Sequence, residues 1–237
     1  MSPFPDSFFH SLEQRGWAES GTLVLAEWRQ DLLHRSQQLW DAGQFHAAAV
    51  GRQASRLNDT QIRGDRICWI DTQSTTWAGH PFTRLIHDLR AELNRQFYLG
   101  LRSEELHFAR YDTGYGYRKH LDQHRNSRHR KISVVLYLND DWGLHDGGEL
   151  CLYESDHIHE TRFDESVAQA DMLYEVPSSA LPAELPSPPA DLQGVTRLLP
   201  VPARLVIFRS DLIWHEVLPS RRTRWSLTGW LRDDAVL

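Results

Sequence analysis

Four residues in two separated segments have the types and spacing to hold a metal ion and an organic acid. His120 and Asp122 stand two apart, and alternation along a strand points such residues to one face, where both can bind one ion. His215 lies in a late apolar segment, and Arg224 follows nine residues later. Two histidines and a carboxylate with open positions form the ligand set of non-haem Fe(II) oxygenases. Arg224 can bind the far carboxylate of a 2-oxo diacid as a bidentate pair.

The elements that must position these residues are predicted to be short strands. The region 204–232 alternates apolar runs with turn residues such as Ser210-Asp211 and Pro219-Ser220, which predicts three strands. The predicted strands cover residues 65–71, 106–111, 115–122, 132–138, 149–153, 205–208, 214–218 and 225–231.

Helical patterns occupy the first hundred residues. Apolar residues recur at helical spacing, and proline and glycine mark the helix ends. The predicted helices cover residues 5–15, 23–42 and 81–99. Helices followed by strands predict a mainly β fold, a double-stranded β-helix (a cupin-like jelly roll) with N-terminal helices packed on one face. We expect one domain over 1–237, with helical support in 1–100, the jelly-roll core in 101–232 and an exposed, Pro/Ser/Ala-rich insertion in 155–195.

Composition narrows the functional classes. The chain has 237 residues, 41% of them hydrophobic, and a net charge of −6, which favours an enzyme over a nucleic-acid-binding protein. With only Cys68 and Cys151, no disulfide framework or cysteine-rich zinc site is expected. No leader or membrane-spanning run is apparent. We therefore expect a cytoplasmic protein, a monomer or weak dimer, that binds neither nucleic acid nor membranes.

Several motifs in a fixed order carry a family resemblance. They are Ile62-Arg63-Gly64-Asp65, the run Tyr111-Asp-Thr-Gly-Tyr-Gly-Tyr-Arg-Lys-His-Leu-Asp122, Tyr137-Leu138-Asn139, Gly147-Gly148-Glu149-Leu150, and His215-Glu216-Val217 followed by Thr223-Arg224 and Trp230. On these residues the chain resembles the Fe(II)/2-oxoglutarate-dependent prolyl hydroxylases, especially the hypoxia-inducible-factor type and its bacterial relatives. The segment from Tyr111 to His120 is one residue shorter than the family's.

The resemblance implies a role for each matching residue. The implied iron ligands are His120, Asp122 and His215. Arg224 would bind the 5-carboxylate of 2-oxoglutarate together with Tyr137, while Tyr111 would reach the other end of the co-substrate and Thr228 would support it.

The resemblance also implies a substrate side. Arg130 would contact a peptide substrate, while Tyr117 and Trp230 would line its proline pocket; the alternative for Trp230 is a place in the barrel core. The segment 46–64 would fold over the peptide, with Arg52, Arg56 and Arg63 meeting it.

The implied activity is 4-hydroxylation of a prolyl residue in a protein or peptide substrate, with decarboxylation of 2-oxoglutarate to succinate and CO₂. The cofactors would be Fe(II), 2-oxoglutarate and O₂, with ascorbate as a reductant, and elongation factor Tu would be one candidate substrate. Two alternatives remain open. The same cofactor chemistry could act on another side chain or a small metabolite, or the fold could be a non-catalytic, cupin-like metal-binding or sensing module.

Overall fold

Four helices and eleven strands make up the part of the chain described by the computed structural model, residues 2–48, 63–123, 128–154 and 194–235. The helices are α1 Asp6–Arg15, α2 Ala26–Asp41, α3 Thr75–Ala78 and α4 Pro81–Phe97. The strands are β1 Trp17–Ser20, β2 His46–Ala47, β3 Asp65–Trp69, β4 Ser103–Tyr111, β5 Tyr117–His120, β6 Arg130–Tyr137, β7 Leu150–Tyr153, β8 Val195–Leu198, β9 Leu205–Arg209, β10 Trp214–Val217 and β11 Arg224–Arg232.

Two antiparallel sheets face each other and form a jelly roll, which confirms the predicted fold class. The larger sheet has the order β1-β9-β6-β11-β4-β3-β2, and the smaller sheet has the order β5-β10-β7-β8. The pairing of β11 with β4 runs through nine residue pairs, from Arg224 opposite Tyr111 to Arg232 opposite Ser103. Because directly paired residues point to one face, this register decides which side chains line the space between the sheets.

The central strands of the larger sheet are covered on both faces. One face packs against the helices, where Leu89 and Leu93 of α4 are fully buried in the same core as Leu227 and Leu231 of β11. The other face turns toward the smaller sheet and contributes to a second core. A strand covered on both sides is expected to be almost entirely apolar, which explains why residues 132–138 are apolar except for Ser133.

Two helix boundaries coincide with a proline and a glycine in the sequence. Pro81 is the first residue of α4, and His80 before it accepts a hydrogen bond from the backbone N–H of Phe82. Gly16 ends α1 with a left-handed φ of 74°, a conformation that glycine adopts without a steric penalty. Within the described part of the chain, no helix combines the length and apolar character needed to cross a membrane.

Four short elements were not predicted, namely β1, β2, β8 and α3; each has at most four residues, too few for a periodic pattern to emerge. The strand predicted over 115–122 ends at His120, so Asp122 lies just beyond it. Most of the predicted insertion (155–193) and of the substrate-covering segment (49–62, with Arg52 and Arg56) lies outside the described residues.

The close contact of β11 with β4 at Gly229 leads to a first prediction. A Cβ at Gly229 would lie 2.0 Å from the backbone oxygen of Glu105 and 2.6 Å from a methyl carbon of Leu106. We expect Gly229→Ala to destabilise the fold by about 1–3 kcal/mol, the usual cost of overpacking, and to lower the thermal midpoint by at least about 3 °C.

Gly21→Ala serves as the control, since a Cβ there meets nothing within 4 Å. Equal midpoints for the two variants would contradict the close approach of the two strands.

Candidate active site

Three candidate metal ligands converge at the edge of the smaller sheet. His120 of β5 and His215 of β10 are direct cross-strand partners, and their ring centroids are 4.2 Å apart. The carboxylate of Asp122 reaches both rings, with 3.6 Å from Oδ1 to Nε2 of His120 and 3.6 Å from Oδ2 to Nε2 of His215. Ligand atoms about 2.1 Å from one ion lie about 3 Å apart on an octahedral face, so a small adjustment lets all three bind one metal.

Backbone carbonyls orient the two imidazoles. Nδ1 of His120 lies 2.7 Å from the carbonyl oxygen of Arg118, and Nδ1 of His215 lies 3.1 Å from that of Ile213. Since a carbonyl oxygen only accepts, each Nδ1 donates and each Nε2 keeps its lone pair free. That is the tautomer in which a histidine binds metal through Nε2.

Two serines, one in β6 and one in the turn after β9, hold the carboxylate. Ser133 of β6 donates from Oγ to Oδ2 of Asp122 over 2.6 Å, and its Oγ lies 2.8 Å from Oγ of Ser210. The backbone N–H of Gln123 also donates to the carbonyl oxygen of Ser210. Asp122, although beyond the end of β5, is therefore fixed between the two sheets.

The protonation states of these ligands suit a divalent cation. Burial, together with the neighbouring His120, lowers the pKa of His215 to about 4. Burial disfavours the ionised form of Asp122, but the nearby imidazoles and the Ser133 hydrogen bond outweigh it and hold the pKa of that carboxyl well below its usual range. Near neutral pH the site therefore offers His215 as a neutral imidazole and Asp122 as a carboxylate.

A second polar group inside the barrel can receive an organic acid. Arg224 begins β11 and is 2% exposed; its guanidinium carbon lies 5.1 Å from the ring centroid of Tyr111 and 4.9 Å from that of Tyr137. Nε of Arg224 and the hydroxyl of Tyr137 are buried without a hydrogen-bond partner. No carboxylate in the described residues pairs with this guanidinium. A carboxylate ligand would satisfy both groups, so these residues fit 2-oxoglutarate.

The remaining co-substrate candidate, Thr228, lies on the same face of β11 as Arg224. Its Oγ1 is 3.4 Å from Oγ of Ser226, and Ser226 is in turn paired with Tyr137 across the strands. Its position is therefore compatible with the supporting role predicted for it.

The three predicted substrate residues fall into two groups. Tyr117 stacks on His120, with ring centroids 3.6 Å apart. Arg130 and Trp230 form the other group: the guanidinium carbon lies 3.4 Å from the Trp230 ring centroid, and Nη2 donates to Glu105 over 3.0 Å. Trp230 is 5% exposed and packs beside the aromatic rings of the cavity.

Three further residues of the cavity were not among the sequence-based candidates: Ser133, His107 and Trp69. A serine between apolar residues in 132–138 is a weak sign of an interior polar contact, but its partner depends on the packing of two sheets. His107 is buried between Trp69 and Trp230, with ring centroids 4.9 Å and 5.4 Å away. Its strand position alone does not separate it from a core histidine.

Comparisons with known proteins find one family and several similar proteins. The family described as the 2OG-Fe(II) oxygenase superfamily matches residues 106–232. Human prolyl hydroxylase EGLN3 is 25% identical over 210 residues, covering 85% of this chain and 72% of that protein. The crystal structure of a Pseudomonas putida prolyl-4-hydroxylase superposes with a TM-score of 0.72 at 29% identity, covering 99% of this chain and 100% of that one.

A prolyl hydroxylase from Trichoplax adhaerens, solved with a hypoxia-inducible-factor oxygen-degradation-domain peptide, has the same fold. Its TM-score is 0.65 at 22% identity, and the match covers 95% of this chain and 87% of that one.

The serine contact predicts a second effect, on metal affinity. Ser133→Ala removes the hydrogen bond that orients Asp122, and loss of such an outer contact typically weakens metal binding about 10- to 100-fold. Calorimetry with Mn(II) measures the dissociation constant. Ser103→Ala, which removes a hydrogen bond to the backbone of Asp234 at the far end of β4, is the control. An unchanged constant for Ser133→Ala would refute this role.

The pKa of His215 predicts how stability depends on pH in the metal-free protein. With a folded pKa of about 4 against an ordinary value of 6.5, the unfolded chain binds the proton first as pH falls. Stability is therefore full above about pH 6.5, and it is lost by roughly 2–3 kcal/mol between pH 6.5 and 4.5. Urea unfolding of wild type and His215→Gln at several pH values separates the contribution of His215 to the free energy of unfolding from that of other buried histidines. The same pH dependence of that free energy in both proteins would disprove the prediction.

Proposed function

The chain belongs to the 2OG-Fe(II) oxygenase superfamily, and from that premise we propose that it hydroxylates a prolyl residue of a protein substrate at C4. Two features support the proposal. The chain is similar over nearly its whole length to a bacterial prolyl-4-hydroxylase, and the cluster of His120, Asp122 and His215 brings three ligand atoms within 4.8 Å of one another.

The protein's contribution is to hold the cofactors in one geometry. His120, Asp122 and His215 bind Fe(II), which together with 2-oxoglutarate and O₂ supplies the oxidising chemistry that converts a C–H bond to C–OH and yields succinate and CO₂. Arg224 pairs with the 5-carboxylate of 2-oxoglutarate inside the buried cavity, where solvent screens the attraction little. Ascorbate is the proposed external reductant that keeps the iron ferrous.

The tyrosines complete the receptor for 2-oxoglutarate. Burial raises the pKa of Tyr137, so its hydroxyl remains protonated and donates to the same carboxylate as Arg224. Burial likewise raises the pKa of Tyr111 well above its usual range, which keeps that hydroxyl neutral as a donor toward the other end. Thr228 adds a weaker contact from the same face.

The substrate side is assigned to Tyr117, Trp230 and Arg130. Tyr117 and Trp230 provide apolar ring faces for a proline, and these lie beside the metal ligand His120 and beside Arg130 respectively. Arg130 contacts the peptide while its pairing with Glu105 holds it over Trp230. Elongation factor Tu is the first protein to test as the substrate.

The unpaired guanidinium of Arg224 is the observation that carries the enzyme assignment. Burying a cation without an anionic partner is costly, and a metal site that only stabilises the fold or senses a metal needs no receptor for a carboxylate. The alternative function, a non-catalytic cupin-like module, does not explain why Arg224 and the Tyr137 hydroxyl are buried together. The other alternative, a small-metabolite hydroxylase, uses the same cofactors, so only the identity of the hydroxylated product distinguishes it from the proposed function.

The deciding experiment is a search for products in a lysate. A lysate from cells that lack the protein is incubated with the purified enzyme, Fe(II), 2-oxoglutarate, ascorbate and O₂, and hydroxylated prolines are located by mass spectrometry. We expect a small set of proteins to gain hydroxyproline, with equal amounts of succinate formed. Succinate with oxidised small molecules and no hydroxyproline would favour the metabolite alternative.

A matched pair of arginine variants tests the co-substrate receptor. We expect Arg224→Gln to weaken 2-oxoglutarate binding at least about 100-fold, since a buried charge-assisted pair is lost, while Mn(II) affinity stays within about threefold. Arg221→Gln changes an exposed side chain in the loop before β11 and should leave both constants unchanged. Retained 2-oxoglutarate affinity in Arg224→Gln would remove the basis for the assignment.

A further inference from the structure

Four buried side-chain atoms on the inner face of the larger sheet have no hydrogen-bond partner among the described residues. Two of them, Nε of Arg224 and the hydroxyl of Tyr137, belong to the proposed carboxylate receptor. The other two are Nδ1 of His107 and Nε1 of Trp230. Buried polar groups are almost always paired, so a second unpaired set on the same face of the sheet indicates a second ligand group.

His107 occupies a central position in this cavity. It lies on β4, directly opposite Trp69 of β3 and Thr228 of β11, so all three side chains face inward. The imidazole is 1% exposed, whereas Trp69 is 47% exposed. The inner face of the sheet therefore passes from a buried imidazole at His107 to a solvent-exposed ring at Trp69.

The imidazole of His107 is a neutral hydrogen-bonding group. Burial, reinforced by the cations Arg63 and Arg130 and opposed by Asp122, holds the pKa of His107 well below its usual value. A neutral imidazole carries one donor and one acceptor nitrogen. His107 is not in the cluster of metal-ligating atoms around Asp122, so its free nitrogen is available to another partner.

We propose that His107 and Trp230 bind the main chain of the substrate residue that precedes the reacting proline. Nδ1 of His107 accepts a hydrogen bond from the N–H of that residue, and Nε1 of Trp230 donates to its carbonyl oxygen. This assignment rests on the proposed function and adds a specificity rule to it: the residue before the target proline must carry an N–H.

Backbone geometry supports this pairing. A residue before proline is driven into the extended region, and an extended residue presents its N–H and C=O on the same side, as in a hydrogen-bonded strand pair. The ring centroids of His107 and Trp230 are 5.4 Å apart and inclined by 35°, and each ring has one nitrogen without a partner among the described residues. Trp230 can only donate, which leaves the acceptor role to His107.

The closing experiment combines an enzyme variant with a substrate variant. A peptide spanning a site that wild type hydroxylates in the lysate is made in two forms, one of them N-methylated at the residue before the target proline. We expect the methyl group to lower kcat/KM about tenfold with wild type and to have little effect with His107→Leu, which should itself lose about tenfold on the unmodified peptide. The KM for 2-oxoglutarate should stay constant throughout.

His107→Asn is the matched control, because its amide can place an acceptor near the position of Nδ1 and should recover most of the activity. Peptide binding to the Mn(II) form under anaerobic conditions, followed by calorimetry, should change in parallel with KM. An equal penalty for N-methylation in wild type and His107→Leu would overturn this inference while leaving prolyl hydroxylation intact.

Three further results would also count against the inference. A raised KM for 2-oxoglutarate in His107→Leu would assign His107 to the co-substrate, and hydroxylation of prolines preceded by proline would contradict the specificity rule. If wild type forms no hydroxyproline in the lysate, the proposed function fails and this inference fails with it.

Discussion

The candidate site depends on one bridge between the two sheets. Strands β5 and β10 bring His120 and His215 together within the smaller sheet, but the third ligand is held from the larger sheet, through the hydrogen bond from Ser133 to Asp122. Two layers packed about 10 Å apart thus meet at a carboxylate. Any shift of one sheet against the other changes the spacing of the candidate ligand atoms, so that spacing is only as rigid as this contact.

Beyond that bridge, the barrel interior carries an electrostatic cost that a ligand can offset. Arg224 is buried, and among the described residues the rings of Tyr111 and Tyr137 lie near its charge; cation–π contacts stabilise a guanidinium by about 0.5–2 kcal/mol, less than a carboxylate partner would contribute. A carboxylate that pairs with Arg224 would therefore stabilise the fold. The same pairing would fix the orientation of the acid, as catalysis by positioning requires.

The sequence predicted more of the site than of its surroundings. Short motifs that can be recognised in order without knowing the fold contain the four main candidates, His120, Asp122, His215 and Arg224. The structure brings the first three of them together. The roles of these residues remain predictions. Ser133 and His107 could not be assigned in the same way, because their importance comes from cross-strand register and sheet packing, which no local pattern encodes. Helices with several turns were predicted well, whereas four-residue elements such as β1 and α3 depend on tertiary pairing.

The inner face of the larger sheet carries the candidate site residues of β11 at alternate positions. Along β11, Arg224 is paired with Tyr111, Thr228 with His107, and Trp230 with Glu105 and Ser133. Alternation makes these positions independent of the residues that pack against the helices. A change at His107, opposite Thr228, therefore alters the inner face of the sheet and leaves the core against the helices in place.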